Sequence, residues 1–523
     1  MRSTFPLERP YEHRFPYWIA GASLVALTFA IVAVAILISH WPFSRAKIAE
    51  SLQEIVPGTV QFSTFRSTYM PHPGCVVEGV VFTRRAGPVD APPFFTVRRI
   101  RIQATYFDLF FRPGYIARVI LEGLRIHVPP LGTVARSQSD QRQKFSNTRL
   151  GQIVADGALL EVARKHGKEP LRFEIRRLTL GEVRRDGPAF YSVALHNPLP
   201  PGEIVSTGQF GPWNSHEPRE TPVTGSYTFE RADLAVFHGI AGLLSSKGDF
   251  SGALGRLASQ GMVDVADFSV TRSRHAVRLQ TNFQAVVNAM NGDVFLHRVE
   301  ASFLHTFVTA KGQIASEPGD HGKTTSVDLA VKDGRIQDVL HLFVKEMRPP
   351  LNGTANLRAH VIIPPQGRPF LEEVRLTGDF DVASGRFTKP DTQSKINQLS
   401  ERASAEKQNS DDDPPSVISN LSGHASLQDG TAALSDLSFH IPDALAQMHG
   451  TYNLLNEQID LHGTLKTDAQ FTKVTGGGAK SVFLKPFDAI FKRHPRGAVI
   501  PVQLTGTYSA PHPGLEVTSK GSK

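Results

Sequence analysis

The residues best suited to chemistry are few, and none of them forms a working set. Gly476-Gly477-Gly478-Ala479-Lys480-Ser481 has the composition of a phosphate-binding loop. Such a loop needs a wider first spacing and a glycine directly before the lysine, so that backbone N–H groups wrap the phosphates. Ala479 stands there instead. The histidines include no HExxH pair and no tight cluster with carboxylates, so no metal site is expected. His72 and His512 each lie in Pro-His-Pro-Gly, residues 71–74 and 511–514, where proline and glycine dictate a turn. A Gly-x-Ser-x-Gly elbow is absent. Cys75 is the single cysteine, which excludes an intramolecular disulfide and argues against a cysteine-ligated cluster. No nucleophile, base, cofactor or metal ligand is assigned, and the chain is read as non-enzymatic.

The elements around these residues point to a membrane instead. Ile19 to Ser39 carries no charge. At ~1.5 Å per residue its helix reaches ~32 Å, enough to cross a bilayer core. Tyr17 and Trp18 flank one end and Trp41 the other, where aromatic rings prefer the lipid–water boundary. The apolar run is longer than that of a cleaved signal peptide and no small-residue cleavage site follows, so an uncleaved anchor over residues 18–41 is expected. The tail 1–17 is placed in the cytoplasm and the bulk of the chain outside it. The net charge of +8 is spread along the chain. That spread argues against a nucleic-acid groove and suits attraction to anionic headgroups.

After the anchor, Ser44 to Val56 reads as a short helix, with Ile48, Leu52 and Ile55 on one stripe and Pro57-Gly58 at its end. Strands begin at Val60. Residues 99–102 (RIRI) and 124–128 (LRIHV) alternate with period two, the pattern of a sheet with one apolar face. Tyr106 to Phe111 reads as a helical turn, and 131–148 as a linker. The same single-face alternation recurs at Leu376–Val382, Leu437–Ile441, Ile459–Leu465 and Val502–Tyr508. Helical spacing appears at Arg231–Leu244, at Ile336–Met347 and at the polar Thr392–Glu406, before an acidic stretch at 410–415. The expected order is a 42–130 α/β segment, the 131–148 linker, a 149–390 β-rich repeat region, a 391–415 polar helix and acidic loop, and a 416–523 β region.

A glycine followed closely by an apolar residue recurs in these strands. It stands at Gly225, Gly248, Gly353, Gly378, Gly423, Gly450, Gly463 and Gly506. Either the glycines fall in strands by chance, or a long antiparallel sheet of repeated meanders bends at them. Few helices are available to cover the apolar face, so the sheet folds on itself or buries that face against something else. A half-pipe with lipid tails inside and an ordinary dry sandwich both satisfy the pattern.

One stretch near the C-terminus is amphipathic. Phe483, Leu484, Phe487, Ile490 and Phe491 share a helical face in 480–493, with Lys485, Lys492 and Arg493 supplying cations. Such a helix suits the lipid–water interface, and equally a cap on the end of the sheet.

The chain resembles the AsmA family of bacterial envelope proteins. The likeness rests on one N-terminal span, a short helix and a long β-rich region, and on LEGLRIHVPP ending at Pro130, GIAGLLSSKGDFSGAL, VKDGRIQDVLHLF at 331–343, MRPPLNGTANL, GRFTKPDTQSKINQLSERA at 385–403 and GAKSVFLKPFDAIF at 478–491. None of these is a catalytic signature. The resemblance implies an inner-membrane anchor, a periplasmic bulk and a curved sheet whose apolar trough takes acyl chains. The expected fold is mainly β: a single N-terminal transmembrane helix, then a long, curled, groove-like antiparallel sheet with a few short helices. Groove-lining candidates are Phe380, Val382, Leu437, Phe439, Leu461 and Leu504. The favoured function is non-enzymatic handling of phospholipid in support of lipid transfer or outer-membrane homeostasis. The alternative is a periplasmic scaffold that assists assembly or regulation of outer-membrane components through an envelope protein partner.

Overall fold

From Gly58 onward apolar and polar side chains alternate, and an extended backbone is the conformation that sorts them onto two faces. The computed structural model describes residues 58–84, 93–128, 149–390, 419–467 and 499–515, with short interruptions, together with Arg45 and Ala49, both helical. It is mainly β, a long antiparallel sheet that does not close, with few helices. The described residues fall into two compact units. Among them no helix is long and apolar enough to cross a membrane. The expected span at 18–41, the linker at 131–148, the polar helix and acidic loop at 391–415 and the amphipathic helix at 480–493 lie outside the described residues.

The first unit takes the described residues up to Ala232, with Ser246–Ser259 and Asn288–Asn291. Its strands are β1 (Gly58–Gln61), β2 (Thr64–Thr68), β3 (Gly74–Arg84), β4 (Phe95–Gln103), β5 (Tyr115–Val128), β6 (Arg149–Val162), β7 (Leu171–Val183), β8 (Ala189–Pro198), β9 (Pro201–Phe210) and β10 (Pro222–Asp233). β1 and β2 both pair antiparallel with β3, and from β3 to β10 successive strands pair antiparallel, except that β5 and β6 run parallel. A parallel neighbour needs a crossover, and the stretch between Val128 and Arg149 supplies its length. The apolar face is dry: Val80, Val119, Leu124, Ile153 and Ala155 are fully buried, in one cluster with Cys75, Ile116 and Phe82.

The opposite face of this unit carries a ladder of charge. Glu78, Arg99, Glu122, Asp156 and Arg177 stand directly opposite one another on β3 to β7. Arg99 bridges Glu78 at 2.8 Å and Glu122 at 3.2 Å, Arg101 reaches Glu122 at 3.0 Å, and Arg177 reaches Asp156 at 3.0 Å. The three acids each precede a glycine, Gly79, Gly123 and Gly157, at φ +64°, +65° and +67°. That left-handed conformation suits glycine and locally strengthens the strand's twist.

The second unit takes Asp233–Ser245, Gln260–Val287 and the described residues from Gly292. The strands after β10 are β11 (Ile240–Ala241), β12 (Leu243–Ala253), β13 (Arg256–Val270), β14 (Val277–Asn288), β15 (Asp293–Phe303), β16 (Thr306–Ala315) and β17 (Thr324–Arg335). Helix α1 (Ile336–Phe343), β18 (Leu351–Ile363), the single turn α2 (Phe370–Glu373) and β19 (Arg375–Phe387) come next. The last strands are β20 (Ser419–Gln428), β21 (Thr431–Ile441), β22 (Ala444–Asn453), β23 (Gln458–Thr467), β24 (Val499–Thr507) and β25 (Pro511–Leu515). From β15 to β25 each strand pairs antiparallel with the next.

Two helical expectations are revised. Arg231–Leu244 is not a helix: it holds the end of β10, a 3-10 turn at Leu234–Val236, β11 and the start of β12. Arg231 at φ +53°, Gly239 at +110° and Gly242 at +138° break any α-helical run. The helix at Ile336 forms as its apolar spacing predicts, but it ends at Phe343 rather than Met347. Val344 is already extended, and Pro349-Pro350 follows.

Candidate functional site

The pairing register from β15 to β24 aligns apolar residues into unbroken rows. One row runs Val299, Ala310, Leu329, Ala359, Gly378 and Ala425, each directly opposite the next. It continues through Leu434, Gly450, Leu461 and Leu504. The adjacent register, Lys311, Asp328, His360, Thr377 and Ser426, faces the other way and is exposed. Side chains alternate across a strand, so one face is apolar and one is wet throughout these ten strands.

The apolar face of this unit differs from that of the first. There the inward side chains are sealed from solvent. Here nearly every member of the row is only half-buried, and Leu461 at 8% exposure is the exception. Contiguous apolar surface left open is a common feature of binding and association surfaces.

The six lining candidates fall on three neighbouring rows of this face. Leu461 pairs with Leu504. Val382, Leu421 and Phe439 are successive partners across β19, β20 and β21, and Phe439 meets Phe387 edge-on with ring centroids 6.0 Å apart. Phe380 pairs with Gly423, where a Cβ would stand 3.1 Å from the Phe380 ring and 3.3 Å from Leu437. Val382 is 1% exposed, packed with Leu351 and Ala355 against Ile336 and Leu340 of α1. Phe380, Leu437, Phe439 and Leu504 remain half-buried. The interface candidates Phe483, Leu484, Lys485, Phe487, Ile490, Phe491, Lys492 and Arg493 lie outside the described residues.

Glycines on this face stand where the neighbouring backbone comes closest. A Cβ on Gly463 would lie 2.0 Å from the Gln447 carbonyl oxygen, and one on Gly450 2.0 Å from that of Asp460. No side chain fits there, so glycine permits the approach.

Sequence reasoning identified α1 but missed what holds it. Asp338 is buried and accepts hydrogen bonds from His305 N and Thr306 Oγ1, both at 2.9 Å. Gln337 Oε1 accepts from Gly353 N at 3.2 Å. Among the described residues no group of three His, Cys, Asp or Glu side chains is placed to hold a metal ion. No family model, curated protein or solved structure matches this chain.

Proposed function

We propose that this chain is a non-enzymatic lipid-handling protein of the bacterial envelope, as its resemblance to the AsmA family implies. In this reading residues 18–41 anchor it in the inner membrane and the sheet lies in the periplasm. The face of β15–β24 curls around phospholipid acyl chains in support of lipid transfer or outer-membrane homeostasis. The observation that carries the reading is the row from Val299 to Leu504, apolar and half-open across ten strands. The close backbone approaches at Gly450 and Gly463 support a sheet bent toward that face. Each methylene taken out of water gains ~0.8 kcal/mol, so ten of them give on the order of 8 kcal/mol before ordering costs.

The test is photo-crosslinking in the full chain, with benzoyl-phenylalanine in place of Phe380, Leu437 or Leu504 and, on the wet face, Asp379 or Thr505. Mass spectrometry should find phospholipid adducts on the first three alone. Adducts equally frequent on both faces, or on neither, would sink the reading. A protein adduct confined to the apolar face would favour the scaffold alternative.

A further inference from the structure

We propose that the C-terminal half of α1 is an acid-released latch over the apolar residues Val277 and Phe303. This holds whatever fills the rest of the face. Leu342 is the side chain that closes this end, buried with Val277 and Phe303 while Val339, Val308, Phe268 and Leu279 pack around them. Two kinds of attachment hold the helix there. The N-terminal half is tied by Gln337 to Gly353 N and by Asp338 to His305 N and Thr306 Oγ1. The C-terminal half is tied by His275, whose Nδ1 lies 3.0 Å from the His341 carbonyl oxygen. Its ring stacks on the His341 ring with centroids 4.2 Å apart and an interplanar angle of 15°.

This stack suits neutral imidazoles. With Nδ1–H of His275 donating to the carbonyl, the two rings lie flat together. Two imidazolium ions about 4 Å apart repel. Burial holds His341 below its ordinary value, His275 pushes it further in the same direction, and Asp338 one turn back opposes them. Asp338 is itself engaged by two donors. The charged groups that follow, Lys345, Glu346 and Arg348, all lie beyond the end of the helix, and Lys345 pairs with Glu457 at 3.8 Å. A histidine whose value is depressed in the closed state favours closure at neutral pH. That contribution is intact above about 6.5 and is lost as pH falls below it. The hydrogen bond from Val344 N to Leu340 O then frees its amide, and Leu342 leaves Phe303.

Hydrogen exchange by mass spectrometry on the full chain in detergent micelles tests this. After correction for intrinsic exchange, protection of the 340–344 amides should fall by up to about tenfold per pH unit between pH 6.5 and 5, the limit for one proton. Protection in β18 and β19 should stay constant over the same range. His341→Phe keeps a stacked ring without a proton and should hold 340–344 protected across that range. The same fall in His341→Phe, or no fall in the wild type, would overturn the latch. If β18 and β19 lose protection in His341→Phe, His275→Gln decides in its place, and a fall unchanged in that variant also overturns it.

Discussion

The backbone N–H of Asp333 donates to Asn356 Oδ1 at 2.9 Å, across a bulge where β17 carries one extra residue against β18. The arrangement repeats: Ser384 N donates to Asn420 Oδ1 at 3.2 Å across the bulge between β19 and β20. The bulged strands read VKDGRI at 331–336 and VASGRF at 382–387. Asp333 and Ser384 hold φ +50° and +56°, so each bulge needs a left-handed residue and an acceptor for the N–H it turns out of the ladder.

Removing that acceptor should cost a modest amount, because the bulge is exposed and water can replace it. Asn356→Ala is expected to lower stability by about 0.5–1.5 kcal/mol in urea unfolding. Ser384→Gly is expected to raise it by up to ~1 kcal/mol, since glycine accepts positive φ without steric cost. A loss in Ser384→Gly would mean that its side chain contributes more than its backbone conformation costs.

The glycines of the open face predict a sharper split. Gly463→Ala puts a Cβ against the Gln447 carbonyl and should destabilise by about 1–3 kcal/mol or more. Gly181→Ala on β7 meets nothing within 4 Å and should be neutral or slightly stabilising. Equal effects at the two positions would remove the argument that close backbone approach fixed glycine at 463.

Much of this fold is legible in the sequence, and the exceptions have physical causes. The alternations at Leu376–Val382 and Ile459–Leu465 fall in β19 and β23 because side-chain period two is a local signal. Arg231–Leu244 misled because Leu234, Phe237 and Ile240 have helical spacing, while the positive φ at Arg231 and Gly242 that breaks a helix leaves no mark in that spacing. In the candidate site the apolar positions were visible but their cover was not. Val382 is sealed by α1 through contacts distant in sequence, from Ile336 and Leu340. The charge ladder did leave a trace, Glu78-Gly79, Glu122-Gly123 and Asp156-Gly157, which becomes readable once the strands are known to be neighbours.

Half-open and sealed positions on one face should respond differently to the same change. Leu504→Asp and Phe380→Asp place a carboxylate where water already reaches, so the protein should still fold while bound phospholipid is lost. Leu461 and Val382 are poor choices for that test, because burying a carboxylate there costs several kcal/mol and confuses unfolding with loss of lipid. Lipid mass spectrometry and thermal melting on the same preparations separate the two effects. Full lipid retention in a folded Leu504→Asp, Phe380→Asp double variant would count against an acyl-chain trough.

The charge ladder predicts a response to acid. Hydrogen bonds from Arg99 and Thr64 hold the Glu78 carboxyl below its ordinary value of 4.5. A carboxylate depressed in the folded state stabilises fully above that value and progressively less as pH falls below it. Glu78→Gln should therefore lower the thermal midpoint slightly at pH 7 and flatten its decline below pH 4.5. An unchanged acid slope would place the sensitivity of this unit elsewhere.

Cys75 offers a direct readout of the same unit, since it is the single cysteine of the chain. It is fully buried on β3, and burial pushes its thiol well above the usual range. Only the thiolate reacts, so a maleimide meets neither an exposed sulfur nor a charged one while the strand is in place. Labelling at pH 7.5 should be undetectable in the native chain and complete in denaturant. At intermediate urea its extent should follow the opening of the β3–β7 core rather than the melting of β15–β24. Asn356→Ala should therefore leave it unchanged, whereas Leu124→Ala, a cavity next to this cluster expected to cost about 2–5 kcal/mol, should shift it to lower urea. Rapid labelling in the native state would mean that the dry core of the first unit opens far more readily than its packing implies.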